Sequence, residues 1–173
     1  MRHRATSFLP VATKQSRVLI LGSMPGIRSL EAQQYYAHPQ NAFWPIMSAL
    51  FDAPVDTYEQ RLALIKENQL ALWDVLKCCE RHGSLDTRID NATIEVNDFA
   101  GFLKRHPGIT HVFCNGTKSE TEFRKRVLPG LSLATQERLT VSRLPSTSPA
   151  MATLPKARKI KAWRVILTAL AAV

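Results

Sequence analysis

Four short runs of apolar residues predict the strands of a buried sheet. Each run is short and partly β-branched, as strands that are covered on both faces tend to be. The runs are residues 17–22, 69–75, 111–115 and 139–144. The pattern predicts central strands that lie side by side.

Helical patterns separate these strands. They cover residues 42–51, 58–68, 98–105, 117 to a point before Pro129, and 156–171. Asp56 with Glu59, and Thr117 with Glu120, have the spacing of capping boxes that begin two of these helices. Strands that alternate with helices predict right-handed crossovers, and hence an α/β fold: a three-layer α/β/α sandwich around a mostly parallel four-stranded sheet. We expect a single domain over residues 1–173.

The carboxyl ends of the strands are the expected place for a site, because ligands bind there in open α/β sheets. Four segments lie at these ends: the loop after Gly22, the residues around Asp74, the loop after Asn115 and the loop after Leu144. The two most unusual stretches of the chain follow Gly22 and Leu144. The sequence therefore places its candidate chemistry at this edge of the sheet.

The first unusual stretch begins with Gly-Ser-Met-Pro-Gly at residues 22–26 and continues with an aromatic-rich segment at residues 35–44. Glycines let a backbone approach a ligand closely, and exposed N–H groups bind carbonyls or anions. Tyr36 offers a face on which a nucleobase can stack. Asn41 can hold a water or read a base edge. Because Asn is also a preferred N-cap residue, the pattern leaves both roles of Asn41 open.

The second unusual stretch, residues 144–150, reads Leu-Pro-Ser-Thr-Ser-Pro-Ala. Its two prolines stiffen the loop, and its hydroxyl groups can donate hydrogen bonds to phosphates. Basic residues follow, with Lys156 and Lys159 among them. They either line a phosphate track or form a solvated helix face. A stiff loop beside a basic helix favours DNA as the partner.

Composition is compatible with a nucleic-acid partner. The chain of 173 residues has a formal net charge of +9, which favours polyanions such as nucleic acid or an anionic membrane. No apolar run is long enough to span a bilayer, and the N-terminal stretch lacks the apolar core of a signal peptide, so we expect a cytoplasmic protein. The three cysteines have no C-x-x-C spacing and no His cluster beside them, which predicts reduced thiols and no metal site.

Both unusual stretches resemble motifs of the uracil-DNA glycosylase superfamily. Residues 22–26 are similar to its water-activating G-x-x-P-G loop, and residues 36–44 are similar to the F-A-H-P-x-N-x-F-W segment of its mismatch-specific members. Residues 144–149 resemble its minor-groove loop, usually H-P-S or N-P-S. The resemblance implies an enzyme that hydrolyses the N-glycosidic bond of a damaged base flipped out of DNA.

The chain departs from the usual family pattern at two positions. Ser23 stands where the first motif usually has Asp or Asn, and Leu144 stands where the second usually has His or Asn. Both departures resemble the hypoxanthine-DNA glycosylase branch, in which the catalytic Asn belongs to the H-P-x-N segment. The resemblance thus implies that Asn41 is catalytic, that hypoxanthine is the favoured base with xanthine as a further candidate, and that no metal or cofactor takes part.

The resemblance implies roles for further residues. The expected base-binding residues are Gly22, Ser23, Met24, Tyr36 and Asp74. The expected DNA-binding residues are Pro145, Ser146, Thr147, Ser148, Lys156 and Lys159. Asp74 reads the base or acts as a structural cap, and the role of Asn115 is left open. We expect a monomeric, monofunctional enzyme; the alternatives are a uracil- or mismatch-specific glycosylase of the same superfamily and a catalytically dead DNA-binding module.

Overall fold

The central sheet of the protein consists of four parallel strands. The structure is a computed structural model that describes residues 3–172. The strands in this range are β1 (His3–Thr6), β2 (Val18–Gly22), β3 (Leu70–Asp74), β4 (Leu76–Arg81), β5 (Glu95–Val96), β6 (His111–Asn115) and β7 (Thr140–Leu144). The central sheet has the order β3-β2-β6-β7, with every neighbouring pair parallel. The four strands predicted from the apolar runs are therefore confirmed.

Helices connect the strands of the sheet. Within the described residues they are α1 (Ile27–Ala32), α2 (Phe43–Phe51), α3 (Tyr58–Glu67), α4 (Phe99–Arg105), α5 (Thr117–Glu122), α6 (Leu133–Arg138), α7 (Lys156–Trp163) and α8 (Val165–Ala171). A π-helical turn at Phe123–Val127 continues α5, and Arg164 divides the helix predicted at residues 156–171 into α7 and α8. None of these helices is both long and apolar enough to cross a membrane.

Two helices begin differently from the predicted capping boxes. The cap of α3 is Thr57, whose side chain accepts from the N–H of Gln60 while the Gln60 side chain accepts from the N–H of Thr57. The box therefore lies one residue later than the one predicted at Asp56. Helix α5 begins after Gly116 without a side-chain cap, because Thr117 is already its first helical residue and an N-cap residue must be non-helical.

The side chains of β2 show how the layers assemble. Leu19 and Leu21 pack on one face of the sheet with the apolar residues of α4, whereas Val18 and Ile20 pack on the other face with those of α2, α3, α7 and α8. Successive side chains of a strand point to opposite faces, and all four of these are fully buried. Helices therefore cover both faces, which confirms the three-layer α/β/α sandwich.

A second sheet, which the sequence did not predict, follows directly from the first. It is antiparallel with the order β1-β4-β5, and Val75 alone separates β3 from β4. Its middle strand contains Lys, Glu, Arg and two Cys among its six residues, so it lacks the apolar run that identified the central strands. This sheet carries the chain into residues 82–94, which return to the loop after Gly22 and contribute to the site.

Candidate active site

A cavity of about 790 Å³ lies beyond the carboxyl ends of the central strands. Both unusual stretches of the sequence contribute to its wall. The expected site residues that line it are Gly22, Ser23, Met24, Tyr36, Asn41, Asp74, Pro145, Ser146, Thr147 and Ser148, and Asn115 joins them. The volume falls in the range of roughly 300–1,000 Å³ that is typical of small-molecule sites. The cavity therefore has room for a ligand of the size of a purine base.

Gly22 allows two side chains to close in on the backbone at the floor of this cavity. A Cβ atom at Gly22 would collide with Oδ1 of Asp74 and would lie 3.1 Å from the hydroxyl of Tyr36. The carbonyls of Gly22 and Ser23 accept hydrogen bonds from the N–H groups of Val75 (2.9 Å) and Leu76 (3.1 Å). Glycine is required here because no other residue leaves space for both neighbours.

Asp74 ends β3 at the edge of the sheet and forms part of the cavity wall. Its side chain is buried, with 4% relative exposure, and Oδ2 has no hydrogen-bond partner among the described residues. Burial, followed by the negative charge of Asp86, raises the pKa of Asp74 to about 7, although the positive charge of Arg81 opposes this shift. The carboxyl group is therefore divided between its protonated and ionised forms near neutral pH.

Asp86 provides a second carboxylate at the site. It begins a 3-10 turn at Asp86–Arg88, and its Oδ1 accepts a hydrogen bond of 2.6 Å from the hydroxyl of Ser23. Burial raises the pKa of Asp86, whereas the Ser23 hydroxyl and the charges of Arg81 and Lys118 lower it. The sequence interpretation missed Asp86, since it lies 63 residues from Ser23 and in no recognisable motif.

Arg81, the last residue of β4 in the second sheet, forms a hydrogen bond with the loop at residues 22–26. Its guanidinium is buried, and Nη2 donates a short hydrogen bond to the carbonyl of Pro25. Nε and Nη1 have no hydrogen-bond partner among the described residues. Burial lowers the pKa of Arg81, while Cys79, Asp86 and Asp74 raise it. The cation thus stabilises the loop and partly balances the two carboxyl groups of the site.

Tyr36 is held in place by the aromatic ring of Phe43. The two rings stack with centroids 4.0 Å apart and an angle of 19° between their planes. Tyr36 has a left-handed backbone with φ of 53°, a conformation that is costly for a bulky residue. Burial, and then the charge of Asp74, raises the pKa of its hydroxyl. Because Phe43 already covers one face of the ring, a base could stack on the opposite face alone.

Asn41 lies at the start of α2 and on the cavity wall. Its Oδ1 accepts a hydrogen bond of 2.9 Å from the N–H of Phe43, and its own N–H donates to the carbonyl of His38. Ala42 occupies the N-cap position, so Asn41 supports the helix start from one residue before it. An amide oxygen accepts two hydrogen bonds, so Oδ1 can also bind a water in the cavity. The supporting role and the catalytic role are compatible.

Thr147 is bonded inside the protein, to Asn115 at the end of β6 and to Ala42 at the start of α2. Its side chain is 1% exposed, which does not favour the DNA contact predicted for it. Its N–H donates to Oδ1 of Asn115 (3.0 Å), and Nδ2 of Asn115 donates to its hydroxyl (2.9 Å). The carbonyl of Thr147 accepts from the N–H of Ala42. Asn115 thus fixes the position of Thr147, and Thr147 in turn binds Ala42, the residue next to Asn41.

Lys159 stabilises the segment that follows the second loop by a hydrogen bond to Met151. Its side chain is 5% exposed, and Nζ donates to the carbonyl of Met151 at 2.9 Å. Burial lowers the pKa of this ammonium group. Trp163, on the same helix, donates its indole N–H to the carbonyl of Pro145. The charge of Lys159 is therefore directed inward, which does not favour the DNA contact predicted for it, whereas Lys156 is exposed on the first turn of α7.

Metal-ligating residues are not gathered at this site. Across residues 3–172, no group of three or more His, Cys, Asp or Glu side chains is placed to hold a metal ion. Cys78, Cys79 and Cys114 are buried free thiols. The polar groups that line the cavity include carboxyl, amide and hydroxyl groups, which suit hydrogen bonding and proton transfer, together with the basic side chains of Arg28, His38, Lys118 and Arg143.

Known proteins resemble this chain in sequence, and one solved structure resembles it in fold. Two proteins named hypoxanthine DNA glycosylase, from Methanosarcina barkeri and Methanosarcina acetivorans, are 38% and 36% identical over 114 residues, or 65% of this chain and 71% of each relative. A solution NMR structure of a candidate uracil DNA glycosylase from Methanosarcina acetivorans matches with a TM-score of 0.80 and 30% identity, over 98% of this chain and 99% of that one. The Uracil DNA glycosylase superfamily model matches residues 9–167. The chain therefore belongs to the uracil DNA glycosylase superfamily, as its motifs predicted.

Proposed function

We propose that this chain removes hypoxanthine from DNA that contains deoxyinosine and leaves an abasic site. The observation that carries the proposal is the cavity of about 790 Å³, in which Asn41 and Asp74 share a wall with the loop at residues 145–148. The names of two relatives support the choice of base, since both are called hypoxanthine DNA glycosylases.

DNA would bind at the second loop, residues 144–150, beside the cavity. A glycosidic bond inside the base stack is inaccessible, so the nucleotide must first be flipped out of the duplex. Pro145, Ser146 and Ser148 lie on the cavity wall and are partly exposed. We assign them to the minor groove, where they would hold the gap left by the base. The net charge of +9 favours this approach, and the exposed Lys156 is suited to bind a nearby phosphate.

Asn41 would orient the attacking water. The amide oxygen binds the water and directs it at C1′ of the sugar, where positive charge develops as the bond to the base breaks. A neutral amide is a weak base, so its contribution is positioning, which can supply several kcal/mol of the barrier reduction. Backbone N–H groups of Ser23 and Met24 are assigned to the base carbonyl, whose negative charge increases as the base leaves.

The proposed reaction consumes only water. It requires no metal or cofactor, because the N-glycosidic bond is hydrolysed by proton transfer and charge stabilisation alone. We further propose that the enzyme is a single-domain monomer that acts in the cytoplasm.

A panel of damaged oligonucleotides tests this function. The protein is incubated with strands that contain inosine, xanthine, uracil or ethenocytosine, and abasic sites are then cleaved with alkali. We expect cleavage at inosine, and Asn41→Ala should slow it by about 100-fold or more because the water is no longer oriented. Gln40→Ala is the matched control, since Gln40 is the exposed neighbour of Asn41.

The other outcomes of this panel separate the alternatives. Preferential cleavage at uracil would show a uracil glycosylase with the same fold. Salt-dependent DNA binding with no product from any strand would show a catalytically dead DNA-binding module. Either result would overturn the proposed activity on hypoxanthine.

A further inference from the structure

Asp74 lines the cavity and has a buried carboxyl oxygen without a hydrogen-bond partner among the described residues, and the mechanism above does not use this carboxyl group. The side chain is almost fully buried, and Oδ2 has no hydrogen-bond partner among the described residues. An unpaired carboxylate oxygen in such a position is costly, whereas a protonated carboxyl group is a hydrogen-bond donor that a ligand can use. The geometry therefore favours a ligand with an acceptor atom at this point.

The groups around Asp74 carry charges of both signs. Asp86 follows β4, and Arg81 is the last residue of β4. Tyr35 and Tyr36 lie in the loop after α1. All four interact electrostatically with Asp74. Asn97, which donates to the backbone carbonyl of Asp74, is neutral. Arg81 is the cation of this set, and it interacts with both carboxyl groups.

The two carboxyl groups differ in how well their charged forms are stabilised. Asp86 accepts the hydroxyl hydrogen bond of Ser23 and interacts with the cations Arg81 and Lys118. Asp74 has Arg81 as its stabilising charge and the negative charge of Asp86 as a neighbour. When two carboxyl groups share a site, the one with fewer stabilising contacts retains the proton. Asp86 is therefore the carboxyl group that ionises first as the pH rises, and Asp74 is the one that keeps its proton to a higher pH.

We propose that Asp74 donates its proton to N7 of the flipped purine as the glycosidic bond breaks, and that the ionised Asp86 keeps the proton on Asp74 until then. This inference rests on the proposed glycosylase function and adds a catalytic residue to it. Hypoxanthine presents N7 and O6 acceptors on one edge, as guanine does in the major groove. A pyrimidine has no N7, so this proton donor favours purines such as hypoxanthine.

The step balances without any further reactant. The oxygen of water forms a bond to C1′, and the electron pair of the C1′–N9 bond leaves with the purine. The proton of Asp74 moves to N7, which neutralises the leaving base, and the attacking water loses one proton to the solvent. After hypoxanthine dissociates, the Asp74 carboxylate takes up a proton from water, and the enzyme returns to its starting state.

The pH dependence of cleavage tests this assignment. Single-turnover rates on inosine-containing DNA are measured from about pH 5.5 to about pH 9 for the wild type and for Asp74→Asn. Because the protonated carboxyl is the active form, the wild-type rate should fall about tenfold per pH unit above about pH 7. Asp74→Asn retains a hydrogen-bond donor but cannot release a proton, so its rate at low pH should be about 100-fold lower and independent of pH.

A modified substrate and a second variant isolate each part of the proposal. With 7-deazadeoxyinosine, which has CH in place of N7, the wild type should be as slow as Asp74→Asn, and that variant should lose nothing more. Asp86→Asn can still accept the Ser23 hydrogen bond but has no charge, so the fall in rate should begin at a lower pH. Thermal melting and DNA affinity of each variant control for folding and binding.

The outcomes that contradict the proposal are distinct from failure of the proposed function. If the wild type releases no hypoxanthine at any pH, both proposals are overturned. If the wild type releases hypoxanthine and Asp74→Asn matches its rate and pH profile, the function stands and Asp74 is not the proton donor. An Asp86→Asn profile identical to that of the wild type would overturn the role of Asp86.

Discussion

Asp74 should make the protein less stable as the pH rises towards neutrality, and Asp74→Asn should remove this dependence. In the unfolded chain this carboxyl group ionises near its ordinary pKa of 3.8, whereas burial and Asp86 raise the pKa to about 7 in the folded protein. Between these values the folded state holds a proton that the unfolded state has lost. The stability that the protein has at a pH below the pKa of the unfolded chain is therefore lost as the pH rises through the pKa of the folded protein.

The magnitude follows from the size of the shift. The pKa of Asp74 is roughly 3 units higher in the folded protein than in the unfolded chain. This difference corresponds to about 4 kcal/mol of unfolding free energy, since each pKa unit is worth about 1.4 kcal/mol. The amide in Asp74→Asn has nearly the same shape and is neutral at every pH. Relative to the wild type, the variant should therefore gain up to about 4 kcal/mol of unfolding free energy between about pH 4 and about pH 8.

Urea unfolding at several pH values measures this gain. The free energy of unfolding is compared between the wild type and Asp74→Asn at each pH, and Asp52→Asn controls for the loss of one exposed negative charge. A difference between Asp74→Asn and the wild type that stays constant over the whole range would refute the reasoning. It would mean that the carboxyl group is ionised in the folded protein despite its burial.

Other contacts of the site give further predictions. Asn115→Ala should destabilise the protein by about 1–3 kcal/mol in urea unfolding, because the buried N–H of Thr147 loses its acceptor; an unchanged midpoint would contradict this. Lys156→Gln should reduce the salt dependence of DNA binding by about one phosphate contact, measured by fluorescence anisotropy at several salt concentrations. Lys159→Met should leave that salt dependence unchanged, because its ammonium binds the carbonyl of Met151; a loss equal to that of Lys156→Gln would show that Lys159 reaches DNA after all.

The strands of the central sheet and the edge that holds the site could be predicted because their signals are local. A strand buried on both faces needs a continuous apolar run, and such a run is visible without any knowledge of its neighbours. The rule that ligands bind at the carboxyl ends then places Gly22, Asp74, Asn115 and Leu144 together, and in the structure all four line the cavity. The second sheet escaped prediction, since β4 has no such run.

The motifs predicted where the site would be but not which way each side chain would point. Ser146, Thr147 and Ser148 are chemically alike and adjacent in the sequence, yet Thr147 is buried while the other two are partly exposed. The same holds for Lys156 and Lys159, which are three residues apart on one helix but point to solvent and to the loop respectively. The direction of each side chain depends on the packing of α7 against α2, which the spacing of charges does not reveal.

By itself, therefore, the sequence determined the α/β architecture, the superfamily and the position of Asn41 at the start of a helix, since each follows from residues close together in the chain. Tertiary structure alone decided that Asp86 meets Ser23 across 63 residues and that the Asp74 side chain is almost fully buried. Burial and charge proximity depend on all the elements that pack around a group, and these elements come together only when the chain has folded.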